Sequence, residues 1–205
     1  MSLKVEDLEN SQKFRQILVV KYTDLVDFVF DNLRKFNPVI ASFYFLCVVF
    51  LGIVIYVRIV LVQGHSFANI MYAFLGFLVF PVFSIPIHEV LHAITFYISG
   101  ARDIRVGMML KQYMFYVTAH RYVASPVQFI IVALTPFLVI SLAAICLIIT
   151  LPPLWKWSFS VFLFVHSTMC IGDFALINFY YMNRGKKIYT WDDAENKITY
   201  FYEIA

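Results

Sequence analysis

Apolar residues along this chain gather into four long runs separated by short polar stretches. The first runs from about residue 39 to 62 and stops at Gln63-Gly64-His65; the second covers 68–99 and stops at Gly100. The third covers 127–151 and stops at Pro152-Pro153; the fourth covers 154–182 and stops at Asn183-Arg184-Gly185-Lys186. A helix crosses a bilayer with roughly 20 apolar residues, so each run is long enough. The second and fourth exceed that need, which predicts tilt or a bend. Pro81 and Pro86 predict a kink just before residue 88.

The polar stretches carry a weaker pattern. Residues 101–126 alternate loosely, as in Met114-Phe115-Tyr116-Val117, and predict a hairpin. The tail reads strand, turn, strand over Lys187–Trp191, Asp192–Asn196 and Lys197–Tyr202. Residues 1–38 predict an amphipathic helix along the membrane, although Ile17–Tyr22 reads equally well as a strand. The expected fold is an all-α polytopic membrane protein of four transmembrane helices. A small hairpin follows the second helix and a short β-hairpin ends the chain. Its expected parts are an interfacial segment (1–38), a transmembrane core (39–182, with the 101–126 loop) and a C-terminal hairpin (183–205).

Composition supports a lipid environment. Of 205 residues, 61% are apolar and 14% charged, against about 45–50% and 25% in soluble domains. Mean hydropathy is +0.78. The net charge of +3 is small, and the basic residues flank the apolar runs without forming a stripe, which argues against nucleic-acid binding. Cys47, Cys146 and Cys170 all sit in apolar runs without CxxC spacing and read as packing residues. Residues 1–36 mix acids and bases and lack the short apolar core of a cleavable leader, so the first run is expected to remain as a signal anchor. With four spans, fourteen of the sixteen Lys and Arg residues fall on one side, and only Arg58 and Lys156 on the other. The positive-inside rule then puts both termini in the cytoplasm, with a bacterial plasma membrane as the expected location.

Candidate chemistry lies at the end of the second run, in His88-Glu89-Val90-Leu91-His92. Residues i and i+4 share a helix face, so two histidines at this spacing can grip one metal ion. Glu89 lies about 100° round from His88, beside the metal, where a carboxylate can take a proton from a zinc-activated water. By chance an HExxH arises in such a chain on the order of once in several hundred. A glutamate in a membrane helix also costs about 2.5 kcal/mol or more, so it marks a site.

Asp173 is the only other carboxylate inside an apolar run. Counting back from the cytoplasmic run ends at about 1.5 Å per residue places His88, His92 and Asp173 at one level, roughly 12–18 Å deep. Asp173 is therefore the candidate third ligand, with Gly172 expected to let the second and fourth helices approach closely. His166, seven residues earlier, is a candidate second-shell or oxyanion group, or else a buried hydrogen-bonded histidine. Asn178 is expected to point elsewhere, His65 and His120 to be surface residues, and Thr135-Pro136 to interrupt the third helix, mainly as a local kink.

Four spans with HExxH in the second and Gly172-Asp173 in the fourth resemble a family of small zincin peptidases, distantly similar to site-2 intramembrane metalloproteases. His166 before that pair, Pro136 in the third span and Asp192 or Asp193 in the tail agree with the likeness. The resemblance implies Zn2+ on His88, His92 and Asp173, with Glu89 as general base and acid. Its implied partners are membrane lipid and a membrane-protein or peptide substrate, and the implied reaction is intramembrane hydrolysis of a peptide bond. Two features depart from site-2 proteases: Gly precedes Asp in the fourth span, and no PDZ-like insert is present. The alternatives are a non-catalytic membrane metal-binding protein in transport or regulation, and a haem site. The haem site is disfavoured because both histidines share one helix face.

The four-span reading makes a direct prediction. With native cysteines replaced, His65→Cys and Lys111→Cys should be labelled by an impermeant thiol reagent from opposite sides of the membrane. Labelling from the same side would end it.

Overall fold

The computed structural model describes residues 3–10, 12–64, 66–109 and 114–205, with only the backbone at 114. A short helix α1 (Val5–Leu8) leads to strand β1 (Phe14–Lys21), a 3-10 turn and helix α2 (Leu25–Leu33). Helix α3 (Pro38–Tyr56) runs on through a π turn to Leu61. Helix α4 (Phe67–Phe74) passes through a second π turn (Leu75–Val79) into α5 (Phe80–Ser99). A hairpin of β2 (Ile104–Met109) and β3 (Met114–Ala119) follows, then α6 (Pro126–Thr150). Helices α7 (Pro153–Met169) and α8 (Ile171–Met182) precede strands β4 (Ile188–Asp193) and β5 (Ile198–Ile204).

Three helical stretches, Pro38–Leu61, Phe67–Ser99 and Pro126–Thr150, are long and apolar enough to cross a membrane, and α7 with α8 forms a fourth if the bent pair is one span. Their starts follow local chemistry. The Asn37 side chain accepts from the amides of Val39 and Ile40, with Pro38 at the first helical position. Ser125 and Gln128 form a capping box for α6. Gly100, at φ 111°, closes α5 in the left-handed conformation.

The expected kink at Pro81 and Pro86 takes another form. Helix α5 continues through Pro86, and the irregularity lies upstream, where the Phe80 amide reaches back to Leu75 in a π turn. That extra residue absorbs the missing donor and the ring bulk of Pro81. A sharp bend of 44° occurs instead between α7 and α8, at Cys170. Just before it, the Ser167 and Thr168 hydroxyls donate to the carbonyls three residues back, each at 2.7 Å, and such back-bonding bends helices.

The bundle core joins Phe43 and Phe50 of α3, Phe137, Ile140 and Ala144 of α6, and Phe162, Leu163 and Phe174 of α7–α8. The outer faces remain apolar and open, as at Ile98 (78% exposed) and Phe83 (69%), as a helix against lipid would have it.

Both expected hairpins are present, and the mainly helical expectation is corrected by a fifth strand: the described residues form five strands in two sheets. Strand β1 pairs antiparallel with β5, which pairs with β4, so the N-terminal segment completes a three-stranded sheet with the tail. Its β-branched Ile17, Val19 and Val20 suit that pairing. Of the two readings of residues 1–38, both apply in sequence: a strand, then helix α2. That helix does more than lie along a surface, since Phe28 packs on Phe179 of α8 at 5.5 Å between ring centroids. Asn178, 0% exposed, donates to the carbonyls of Asn32 and Lys35 and accepts from Asn37, tying α8 to the α2–α3 corner. It points away from the metal-ligand candidates, as expected.

The role expected of Gly172 is also corrected. A Cβ at Gly172 would meet nothing within 4 Å, so no close helix approach depends on it. The close approach of the second span to the fourth is at Gly76, where a Cβ would lie 2.1 Å from the Ser158 carbonyl oxygen. Gly76→Ala is expected to destabilise the fold by about 1–3 kcal/mol through overpacking, while Gly172→Ala leaves it unchanged or slightly firmer. Thermal unfolding in detergent checks both, and equal effects would refute the assignment.

Candidate metal centre

Helix α5 carries His88, Glu89 and His92 past α6 and the start of α8. The two Nε2 atoms of His88 and His92 lie 3.1 Å apart. The bend at Cys170 turns the first turn of α8 towards them. Asp173 Oδ2 is then 3.2 Å from His88 Nε2, and Oδ1 is 3.4 Å from His92 Nε2. Tetrahedral zinc with bonds of about 2.05 Å separates its ligand atoms by about 3.3 Å. The two imidazole nitrogens are at that spacing, each has one Asp173 oxygen at it, and one donor atom from each residue lies within 4.8 Å of the others, so the residues present fit the ion. Three protein donors, two neutral and one anionic, also leave the fourth position that a catalytic site needs.

The far side of each imidazole is held as well. His92 Nδ1 lies 2.9 Å from the Val132 carbonyl oxygen of α6. In an uninterrupted helix that carbonyl would accept from the amide of residue 136, but residue 136 is proline and has none. Pro136 thus frees an acceptor that fixes His92 as the Nδ1–H tautomer and turns its Nε2 lone pair towards the site. Beyond the expected local kink, the proline supplies a partner for the site. His88 Nδ1 faces His166 Nε2 at 3.5 Å.

His166 is 1% exposed and does not line the cavity described below. It stands behind His88, a place that suits orientation of that ring and not contact with a reacting oxyanion. With Cys170, whose Sγ is 3.8 Å from His166 Nε2, it forms a second possible donor group that shares His88. Its His166 and Cys170 are buried, whereas His88 is half-buried and lines the cavity.

The open side of the His88–His92–Asp173 group faces a cavity of about 470 Å3 that also holds Glu89. Its walls come from α2, β1, β3, α6 and the C-terminal sheet, including Val26, Val20, Val117, Ala133 and Phe201. Glu89 sits against the backbone amide of Val117 in β3. The His120 amide donates to the Asp103 carbonyl at 2.8 Å, which makes residues 116 and 118 the inward-bonded positions of β3. Val117 therefore presents its amide and carbonyl on the outer edge of the hairpin.

The same cavity is lined by a polar group about Asp192, one of the tail residues that agree with the family likeness. Asp192 Oδ1 accepts from the Thr199 hydroxyl at 2.6 Å, and the Thr118 hydroxyl lies beside that carboxyl. Tyr22 in turn donates to Thr118 Oγ1 at 3.2 Å. Burial pushes the Asp192 carboxyl above the usual carboxylate range and the Tyr22 phenol above its own. His120 is half-buried beside this group, accepting from the Ala194 amide at 3.1 Å; it is not the free surface residue expected. His65 lies outside the described residues.

The sequence profile of a family described as "Putative zincin peptidase" matches residues 81–189, just over half of the chain. The chain belongs to that family. The matched stretch contains His88, Glu89, His92, Pro136, His166 and Asp173, and stops short of Asp192. Membership supports metalloprotease chemistry and zinc as the metal. No curated protein and no solved structure matches the chain.

The freed carbonyl yields a prediction. Pro136→Ala restores a helix amide that competes for the Val132 oxygen, and it is expected to weaken zinc affinity about tenfold without unfolding the protein. Competition against a chromophoric chelator measures this, and unchanged affinity would show that the contact does not support the ligand.

Proposed function

We propose that this protein is a zinc-dependent intramembrane endopeptidase, with His88, His92 and Asp173 as metal ligands and Glu89 as general base and acid. The observation that carries the reading is the convergence of His88 Nε2, His92 Nε2 and the two Asp173 oxygens, at 3.1–3.4 Å, in the lining of a cavity that also holds Glu89. Zinc bound there would supply the Lewis acidity that brings a water towards pKa 7 and polarises the scissile carbonyl. Glu89 takes the proton from the water and delivers it to the leaving amine. The Val117 amide beside Glu89 holds the carboxylate in place. His92 is oriented by Val132 and His88 by His166.

The outer edge of β3 offers a substrate the backbone pairing it needs. A transmembrane helix must unwind before a peptide bond is accessible, and an unwound segment laid along the Phe115–Val117 edge, where the Phe115 amide and carbonyl and the Val117 carbonyl face outward, regains hydrogen bonds by strand addition. Helices long and apolar enough to cross a bilayer support membrane insertion, and the basic residues support cytoplasmic termini. A second reading, a membrane metal carrier without hydrolysis, is favoured by one observation: the adjoining His88–His166–Cys170 group gives a metal a second set of donors.

Glu89→Gln separates the two readings. It should keep bound zinc while hydrolysis of a transmembrane substrate falls by about 10²–10⁴-fold, whereas Asp173→Ala should lose the zinc itself. Metal content by mass spectrometry and cleavage of reconstituted substrate provide the measurements. Unchanged cleavage by Glu89→Gln removes its catalytic role, and zinc retained by Asp173→Ala removes the third ligand.

A further inference from the structure

The cavity holds one acid that the proposed hydrolysis leaves unused. Asp192 lines the cavity together with Glu89 and Asp173, yet among the described residues no lysine or arginine lies within salt-bridge distance of it. Its neighbours are the hydroxyls of Thr199 and Thr118, the Tyr22 phenol beyond Thr118, and the half-buried His120. Arg121, next along the chain from His120, turns its side chain away to Glu6 at 2.6 Å. A carboxylate has about four acceptor positions, and two hydroxyl neighbours leave the others for whatever the cavity holds. A merely structural cross-strand pair with Thr199, its partner in the β4–β5 register, would work as well with a neutral residue and without placing an acid beside a low-dielectric space.

We propose that Asp192 is a specificity subsite for a cationic side chain, so that the preferred substrate carries a lysine or arginine within about two residues of the scissile bond. This rests on the peptidase reading above. The distance follows from β3: the neighbouring residues Val117 and Thr118 line the cavity together with Glu89 and Asp192, Val117 beside Glu89 and Thr118 beside Asp192. A peptide lying along that edge advances about 3.3 Å per residue, so the reacting bond and the acid are one or two residues apart. Membrane substrates carry such cations, because lysine and arginine gather at the cytoplasmic ends of transmembrane segments. Tyr22 is held for this role by Tyr116, whose ring packs edge-on against it at 5.0 Å. The Tyr116 ring lies across Gly107, where a Cβ would be 2.3 Å from it.

The test uses full-length protein in proteoliposomes and fluorescent transmembrane peptides that differ only in lysine, leucine or glutamate at successive positions of their cytoplasmic end. Binding is measured on the Glu89→Gln background, so it is read without turnover. At the preferred position the lysine peptide is expected to bind about tenfold more tightly than the leucine peptide, and Asp192→Asn should abolish the difference. A preference that survives Asp192→Asn, or no preference at all, overturns the proposal. Should Asp192→Asn fail to fold, competition decides: n-butylammonium displacing the lysine peptide where n-butanol does not supports the subsite, and equal displacement overturns it. Cleavage by wild-type protein is scored separately. A lysine preference that depends on Asp192 but comes without cleavage would keep the subsite and remove the peptidase reading. Cleavage indifferent to lysine would do the reverse.

Discussion

His92 reaches across from the second span to a carbonyl on the third that exists as a free acceptor only because Pro136 follows four residues later. That contact, 2.9 Å from Nδ1 to the Val132 oxygen, fixes where the Nε2 lone pair points. The other donors are arranged about it. His88 lies one turn earlier on the same helix, and its Nε2 falls 3.1 Å away. Asp173 must then come from another element, at the same depth, within a short side chain's reach of both. A straight fourth helix has no obligation to pass there. The bend at Cys170 lets α7 follow the bundle core while α8 turns its first turn to the histidines.

Placing two carboxylates and three histidines within an apolar bundle has a cost, and the surrounding structure offsets it by pairing. Asp173 faces both imidazoles, and Glu89 has the Val117 amide. His166 has His88 on one nitrogen, while its Nδ1 is buried without a partner among the described residues. Such buried polar atoms are uncommon. Its position behind a ligand, and outside the cavity, is consistent with a residue kept for the orientation of His88.

The strands give the site its second half. One hairpin, fastened to the end of α5 through Phe96, Ala101 and Ala119, carries its outer edge past Glu89. The three-stranded sheet adds Asp192 and Thr199 to the lining. The cavity is therefore lined mostly by apolar side chains, with two polar groups among them, one about Glu89 and Asp173 and one about Asp192 and Thr199. That suits an extended chain whose backbone is held by a strand edge and whose side chains meet different chemistry at each polar group.

Much of this was legible in the residues taken in order. Run lengths gave four candidate spans to within a residue or two, because burying about 20 apolar residues in lipid needs no knowledge of neighbours. The HExxH spacing is likewise a property of one helix, and the nearness of Asp173 to the two histidines was expected from helical rise. The tail hairpin was readable from alternation. What the chain alone did not reveal depends on contacts between distant segments. Strand β1 looked as much helix as strand because its pairing partner, β5, lies almost two hundred residues away. Gly172 drew the role of the close-packing glycine that belongs to Gly76, since a glycine's neighbours are invisible until helices are docked. Pro136 read as a kink because its partner, His92, is on another span. Asp192 carried no local signal, its meaning arising only when β3, β4, β5 and Tyr22 meet in the lining of the cavity. Local periodicity and helical spacing set the elements and the ligand candidates, while tertiary packing decided which polar groups face one another, because hydrogen bonds and close contacts act only over a few ångströms.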